Sequence, residues 1–271
     1  MAGKVSIGSA WSEAIAFITR EARLLAPVVL GLILLPAVVT SMVQPQVAPG
    51  ETPEPGSWML IAFVMLMVML LGQLAIVVLV DGWRGSVGEA IGRAARRLPT
   101  LLLAGLLVFV PLIILASVAL AIAGVASGST GQITPKSLSG PGLLVLLLLV
   151  VGLLFITVRL LTLIALVARG QDGPLASLKS AFRMTRGQFW RLLGFLSLSM
   201  IVFLVVLAAA GAVFGLVIAL ALGPPEPWTV SPLLVALVGA LVQTAFVTIY
   251  TAMLARITAQ LADRPVEPSA G

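Results

Sequence analysis

The sequence predicts an all-α polytopic membrane protein with six transmembrane helices and three amphipathic helices at the cytoplasmic membrane surface. The chain is 60% hydrophobic and only 10% charged, with a mean hydropathy of +1.18. A soluble domain cannot bury that much apolar surface. The 271 residues suit about six spans of roughly 20 residues each with short connections. We therefore expect a single membrane domain over residues 1–271.

Six apolar runs mark the spans, and turn residues or polar loops separate them. Pro36 and Pro111 fall inside two of the runs and predict kinks. Gly211 and Gly215 form a GxxxG pattern, which predicts close helix packing within the bundle or between two copies. The runs cover about 24–43, 58–80, 99–125, 141–169, 185–222 and 231–256.

Three short segments carry the helical pattern of one apolar and one charged face. They lie at residues 6–22, 86–98 and 172–191. In the second, Ser86-Val87-Gly88-Glu89 matches a capping box, and in the third Thr185-Arg186-Gly187-Gln188 matches another that would begin span five. The apolar face of the first segment is predicted to contain Trp11, Ala14, Ile15, Ile18 and Ala22.

One template begins all three segments. Ser6-Ile7-Gly8-Ser9-Ala10-Trp11 aligns with the residues from Ser86 and with those from Ser177, and Asp81-Gly82 and Asp172-Gly173 precede the later copies. The pattern predicts a threefold internal repeat of an amphipathic helix and a transmembrane hairpin, with chance similarity as the alternative. The repeat units would be about 6–80, 81–171 and 172–262, followed by a polar tail at 263–271.

The positions of the basic residues predict the orientation. Fourteen of the 16 Lys and Arg residues lie in the N-terminal segment, in two connections or near the C-terminus. Lys136 alone lies in the opposite loops, and Arg159 lies inside a predicted span. Because positive residues collect on the cytoplasmic side, both termini are expected in the cytoplasm.

Residues 158–191 resemble a membrane domain that is fused to some bacterial glycerophosphoryl diester phosphodiesterases. The shared features are an Arg in an even-numbered span (Arg159), a Ser-containing basic helix, and a Thr-Arg-Gly-x-x-Trp entry to the next span (Thr185 to Trp190). The resemblance implies a multi-pass protein of the bacterial inner membrane. It implies no catalysis, because the hydrolase domain is absent and the chain contains no His.

Four residues are candidates for contact with a lipid or another ligand. Arg159 is about 20 Å from Asp172 if the helix is continuous at about 1.5 Å per residue. It would bind a headgroup or an anionic substrate, or alternatively cap carbonyl groups or snorkel. Tyr250 is predicted to lie at the same level. Gln73 and Gln243 are further polar candidates, with interhelical hydrogen bonds as the alternative role.

Nine basic residues on the three amphipathic segments form a predicted cytoplasmic collar at headgroup level. Each would attract anionic lipid by about 1 kcal/mol, although topology alone also explains their placement. The collar consists of Arg20, Arg23, Arg93, Arg96, Arg97, Lys179, Arg183, Arg186 and Arg191.

These features favour a non-enzymatic membrane protein that binds or organises lipid at the cytoplasmic side of the inner membrane. The alternatives are an accessory subunit of a larger membrane protein complex and a transporter of a lipid-like substrate. Every carboxylate lies outside the predicted spans, which disfavours proton-coupled transport. We expect no catalytic residue, metal, cofactor or nucleic acid. The expected partners are anionic lipids and other membrane subunits.

Overall fold

The structure, a computed structural model, describes residues 6–45, 53–127, 140–170, 173–223 and 230–262, and these ranges contain helices and no strand. The all-α class and the six candidate spans are confirmed. Predictions that concern Lys136, Asp172 or the tail at 263–271 fall outside these ranges. The segments long and apolar enough to cross a membrane are Ala22–Val43, Trp58–Val80, Val87–Ala126, Gly140–Arg169, Phe189–Leu222 and Val230–Ala262.

A short helix, α1 (Ile7–Arg20), precedes the first span. Its N-cap is Ser6, whose hydroxyl accepts a hydrogen bond from the backbone N–H of Ser9 at 3.2 Å. The buried face differs from the predicted apolar face, since Trp11 is 50% exposed. Small side chains let α1 approach its neighbours closely, and the buried residues of α1 are Ala10, Ala14 and Phe17.

The first span is interrupted by a wider turn. It consists of α2 (Ala22–Val29), a π-helical turn (Leu30–Leu34) and α3 (Leu35–Val43). Pro36 has no N–H to donate to the carbonyl of Leu32, so the regular α-helical ladder cannot continue through this point. The kink predicted at Pro36 corresponds to this π-helical turn directly before it.

The second span, α4 (Trp58–Val80), packs closely against the first at Gly72. A Cβ atom on Gly72 would lie 2.9 Å from Leu32 Cβ and 3.0 Å from the Leu32 carbonyl oxygen. The helix ends at Asp81, and Gly82 follows with a φ of +87°, a conformation that glycine adopts without strain. The Asp81-Gly82 pair therefore ends the second span before the second amphipathic segment begins.

The second amphipathic segment and the third span form one helix, α5 (Val87–Ala126). The predicted capping box is confirmed, because the Ser86 N–H donates to Glu89 Oε2 and the Glu89 N–H donates to Ser86 Oγ, both at 3.2 Å. The predicted separate helix before Pro99 is wrong. A proline removes one backbone donor, and a helix within a membrane protein tolerates that loss.

The fourth span is interrupted, contrary to the continuous helix predicted. It consists of α6 (Gly140–Leu160) and α7 (Leu163–Arg169), with a turn that includes Thr162 between them. Helix α7 ends at Gly170, whose φ is +69°. Because the break follows Arg159 directly, the helical rise counted back from the cytoplasmic end no longer gives the depth of that residue.

The third amphipathic segment contains α8 (Pro174–Met184), and the fifth span is α9 (Phe189–Leu222). The capping box predicted at Thr185 and Gln188 is wrong. The Thr185 hydroxyl turns back and donates to the Ala181 carbonyl at 2.9 Å, so it closes α8 and does not begin α9.

The chain forms two compact units, one from Met1–Leu98 with Leu193–Gly271 and the other from Pro99–Leu192. Within the first unit, the sixth span, α10 (Val230–Ala262), contacts α1, α3 and α4. Small hydroxyl side chains cover much of its buried face, which allows close approach of these helices. The buried threonines of α10 are Thr244, Thr248, Thr251 and Thr258.

Candidate functional site

Helices α1, α9 and α10 of the first unit enclose a groove of about 690 Å³. Sixteen residues line it, and most of them are aliphatic or aromatic. The lining side chains with a polar N–H or O–H group are those of Trp11, Ser199 and Tyr250. The groove therefore suits an apolar ligand with few hydrogen-bonding groups.

Four aromatic rings form one wall of this groove. The Phe195 and Tyr250 ring centroids are 5.6 Å apart with nearly parallel planes, at 5°. The Phe246 ring also stacks with Tyr250, at 5.5 Å between centroids, and the Phe203 ring centroid lies 4.5 Å from that of Phe246. These separations are typical of favourable ring contacts, so α9 and α10 hold a stiff aromatic surface between them.

The groove is open along one side. Exposed aliphatic side chains of α9 and α10 border the opening, for example Leu198, Val202 and Leu241. Since α9 and α10 are both candidate spans, the medium outside the opening is lipid and not water if they cross the membrane. A groove of this kind is then accessible to lipid chains from within the bilayer.

Helix α1 closes one end of the groove with Ile7, Gly8 and Trp11. Its N-terminus is attached to α10 through the side chain of Gln260. The Ser6 N–H donates to Gln260 Oε1 at 3.1 Å, and Gln260 Nε2 donates to Ser9 Oγ at 3.0 Å. One amide side chain thus satisfies a backbone donor at the start of α1 and fixes the helix against the end of the sixth span.

The guanidinium group of Arg256 lies beside the same helix pair. Its Nε atom is 3.9 Å from Glu13 Oε2 on α1. Its Cζ atom is 5.9 Å from the centre of the Phe17 ring. Both contacts join α10 to α1, and the Arg256 side chain keeps 30% of its surface exposed.

In the second unit, Arg159 fastens α6 to α8. Its Nη1 atom donates to the Phe182 carbonyl at 3.0 Å and to Thr185 Oγ1 at 3.3 Å, and its Cζ atom lies 5.1 Å from the centre of the Phe155 ring. The Phe182 carbonyl is one of the last four of α8, which have no partner within the helix. Of the two predicted roles, this contact matches the carbonyl cap.

The other predicted ligand residues are dispersed. Tyr250 lines the groove, whereas Gln73 on α4 and Gln243 on α10 are half-buried and do not. Arg159 and Tyr250 belong to different units, so their shared level stays a prediction. Of the four candidates, only Tyr250 lines the groove.

Eight of the nine predicted collar residues have exposed side chains, and Arg97 is half-buried. Five of the nine belong to the first unit and four to the second. Two of them have partners in the described ranges: Arg20 Nε lies 2.9 Å from Glu21 Oε1, and Arg93 stacks 5.3 Å from the Trp83 ring. The exposed guanidinium and ammonium groups are available to anions.

Sequence reasoning missed the aromatic wall, although a signal was present. Phe195 and Phe203 are eight residues apart, and Phe246 and Tyr250 are four apart, which places each pair on one helical face. Such spacing in an apolar span is too common to indicate a groove by itself.

The lining of the groove contains no Asp, Glu, Lys or Arg. In the part of the chain that the structure describes, no three His, Cys, Asp or Glu side chains cluster as a metal site would require.

Comparison with known families gives one match. A domain of unknown function, DUF7847, matches residues 5–261. The chain belongs to the DUF7847 family. No curated protein and no solved structure matches it. The DUF7847 match does not connect the chain to the glycerophosphoryl diester phosphodiesterase membrane domains, and that resemblance stays a prediction.

Proposed function

We propose that this chain is a non-enzymatic integral membrane protein that binds a lipid, with one lipid chain in the groove between α1, α9 and α10. The observation that carries the proposal is the groove itself. Its volume of about 690 Å³ is in the usual range for ligand sites, about 300–1,000 Å³. Its lining is almost entirely apolar, and its opening faces the lipid if α9 and α10 cross the membrane.

The hydrophobic effect does not drive a lipid chain from the bilayer into such a groove, because both surroundings are equally apolar. The remaining favourable contribution to binding is contact between the lipid chain and a rigid protein surface. The stacked rings of Phe195, Tyr250 and Phe246 offer many simultaneous dispersion contacts. Ordering the chain opposes binding. Selection of a particular lipid must therefore come largely from its headgroup.

Filling the groove should remove the bound lipid. Ala245 is exposed and lines the groove, so Ala245→Phe adds a ring to the cavity without burying it in the protein core. We expect native mass spectrometry of the detergent-extracted protein to show about tenfold less retained lipid. Ala208 on α9 is also exposed and does not line the groove, so Ala208→Phe is the matched control.

Equal lipid retention by Ala245→Phe and the unmodified chain would contradict the groove as the site. Recovery of another membrane protein at fixed stoichiometry, with no lipid retained, would favour the accessory-subunit alternative. Flux of a lipid-like solute through vesicles, blocked by Ala245→Phe, would favour a transporter.

We propose that both termini lie on the cytoplasmic side of the inner membrane, with the basic residues near the anionic leaflet. The hydrogen bonds that the Gln260 side chain makes with the Ser6 N–H and with Ser9 Oγ support a common side for the two ends of the described chain. The chain has no Cys, so single cysteines can be introduced at Ser12 and at Gly56. An impermeant maleimide applied outside should label Gly56→Cys and spare Ser12→Cys. The reverse pattern would contradict this orientation.

We propose that the chain is a threefold repeat whose copies begin at Ser6, Ser86 and Ser177, each with an amphipathic segment at its start. The pattern of burial supports this alignment. The fourth and eighth residues after each serine have no exposed surface: Ala10 and Ala14, Ala90 and Ala94, Ala181 and Thr185. If these positions are equivalent, the substitutions Ala10→Leu, Ala90→Leu and Ala181→Leu should each lower the thermal midpoint of unfolding. A neutral result at one of them would count against the repeat.

A further inference from the structure

Arg256 has unused hydrogen-bonding capacity. A guanidinium group carries five N–H donors. Within the described ranges Arg256 makes no hydrogen bond, and its Nε atom is buried without a partner. Glu13 Oε2, at 3.9 Å, is beyond hydrogen-bonding distance, and the remaining contact is with the Phe17 ring. A buried donor without a partner is costly, and the side chain keeps 30% of its surface exposed, so a ligand acceptor that draws the guanidinium group outward would be bound favourably.

The position of Arg256 relates it directly to the groove. Met253 lines the groove, and Arg256 follows it by three residues, which makes the two side chains neighbours on adjacent turns of α10. On α1, Trp11 lines the groove, whereas Glu13, two residues further on, faces another side of the helix and approaches Arg256. Arg256 thus lies just beyond the apolar lining, towards the C-terminal end of the sixth span.

We propose that Arg256 binds the phosphate of an anionic phospholipid whose acyl chain occupies the groove. This inference rests on the proposed lipid-binding function and adds the headgroup class to it. Arginine binds phosphate with paired, charge-assisted hydrogen bonds, which an ammonium group cannot reproduce in the same geometry. The Glu13 carboxylate opposes an anion at this point. The loose Glu13–Arg256 pair lets the guanidinium group turn towards phosphate as the lipid enters.

The test compares two lipids that share their acyl chains and differ in headgroup. The full chain is equilibrated with equal amounts of phosphatidylglycerol and of diacylglycerol, which lacks the phosphate, and native mass spectrometry measures the ratio of the bound species. We expect the unmodified chain to prefer phosphatidylglycerol about tenfold or more, from the usual strength of hydrogen bonds to charged groups. Arg256→Gln should bring the ratio close to one, while Arg256→Lys should retain part of the preference.

Two further variants define the controls. Arg84 is exposed, does not line the groove and is not one of the nine collar residues, so Arg84→Gln removes one positive charge and should leave the ratio unchanged. Glu13→Gln removes the opposing carboxylate and should raise the preference for phosphatidylglycerol. Thermal unfolding of each variant shows whether it is folded, and Arg256→Lys replaces Arg256→Gln as the test if the glutamine variant does not fold.

The outcomes separate this inference from the groove proposal. Loss of both lipids in Ala245→Phe with a changed ratio in Arg256→Gln supports both. An unchanged ratio in a folded Arg256 variant overturns the role of Arg256 and leaves the groove intact. Inorganic phosphate in large excess should not displace phosphatidylglycerol. Displacement by phosphate alone would show a site for a free anion and would overturn the assignment to a lipid headgroup.

Discussion

Gly72→Ala is expected to lower the free energy of unfolding by about 1–3 kcal/mol, the usual cost of overpacking a tightly packed contact. The added methyl group would lie 2.9 Å from Leu32 Cβ, 3.0 Å from the Leu32 carbonyl oxygen and 3.1 Å from Ile33 Cγ1. Backbone cannot move aside as a flexible side chain can. The first and second spans would have to separate slightly, at the π-helical turn that Pro36 follows. Reversible unfolding in mixed micelles measures the effect.

Gly211→Ala is the matched control for Gly72→Ala. Both glycines lie inside candidate spans, and a Cβ atom on Gly211 would meet nothing within 4 Å. Alanine is the better helix former of the two by about 1 kcal/mol, so Gly211→Ala should be neutral or stabilising. Equal stability of the two variants would contradict the close contact at Gly72. A Cβ atom on Gly215 would likewise meet nothing within 4 Å among the described residues.

Arg159→Met is expected to loosen the end of α8 and to lower the free energy of unfolding by about 1.5–3 kcal/mol, the usual range for a hydrogen bond to a charged group. Methionine keeps much of the apolar contact with Phe155 but cannot donate to the Phe182 carbonyl or to Thr185 Oγ1. The last turn of α8 then loses a cap. Amide hydrogen exchange should be faster in residues 181–185, and the thermal midpoint should fall.

Arg186→Met is the control for Arg159→Met, because the Arg186 side chain is exposed and follows Thr185 in the connection between α8 and α9. It should leave exchange in α8 unchanged. Arg159→Met could also leave hydrogen exchange in α8 unchanged but reduce the retained lipid. That result would mean that Arg159 binds a lipid headgroup and that the carbonyl-capping role is wrong.

The spans were predictable because backbone groups inside a membrane must be satisfied within each helix, which makes hydropathy a direct signal. Local hydrogen bonding was less predictable. The same four-residue pattern forms a capping box at Ser86 and Glu89 but not at Thr185 and Gln188. In the second case the threonine lies at the end of a preceding helix, and the nearby carbonyl of Ala181 competes for its hydroxyl. Whether the four-residue pattern forms a capping box therefore depends on the helix that precedes it, which the pattern itself does not include.

The candidate site was predictable only in part, since it depends on contacts between distant residues. Tyr250 was predicted as a candidate at the level of Arg159, whereas its surroundings depend on the pairing of α9 with α10 and on α1. Gln260 and Ser6 are 254 residues apart in the chain, and nothing in either local sequence indicates their hydrogen bond. Gly72 is likewise ordinary in sequence and becomes important only because Leu32 packs against it.

Photocrosslinking by a phospholipid with a diazirine in one acyl chain tests the lipid-binding proposal most directly. The protein is labelled in native-lipid particles, and the modified residues are located by mass spectrometry. We expect crosslinks to concentrate at groove residues such as Ser199, Val202 and Ala245, and Ala245→Phe to suppress them. Crosslinks spread evenly over the exposed faces of all six spans, and unaffected by Ala245→Phe, would contradict a lipid site in the groove.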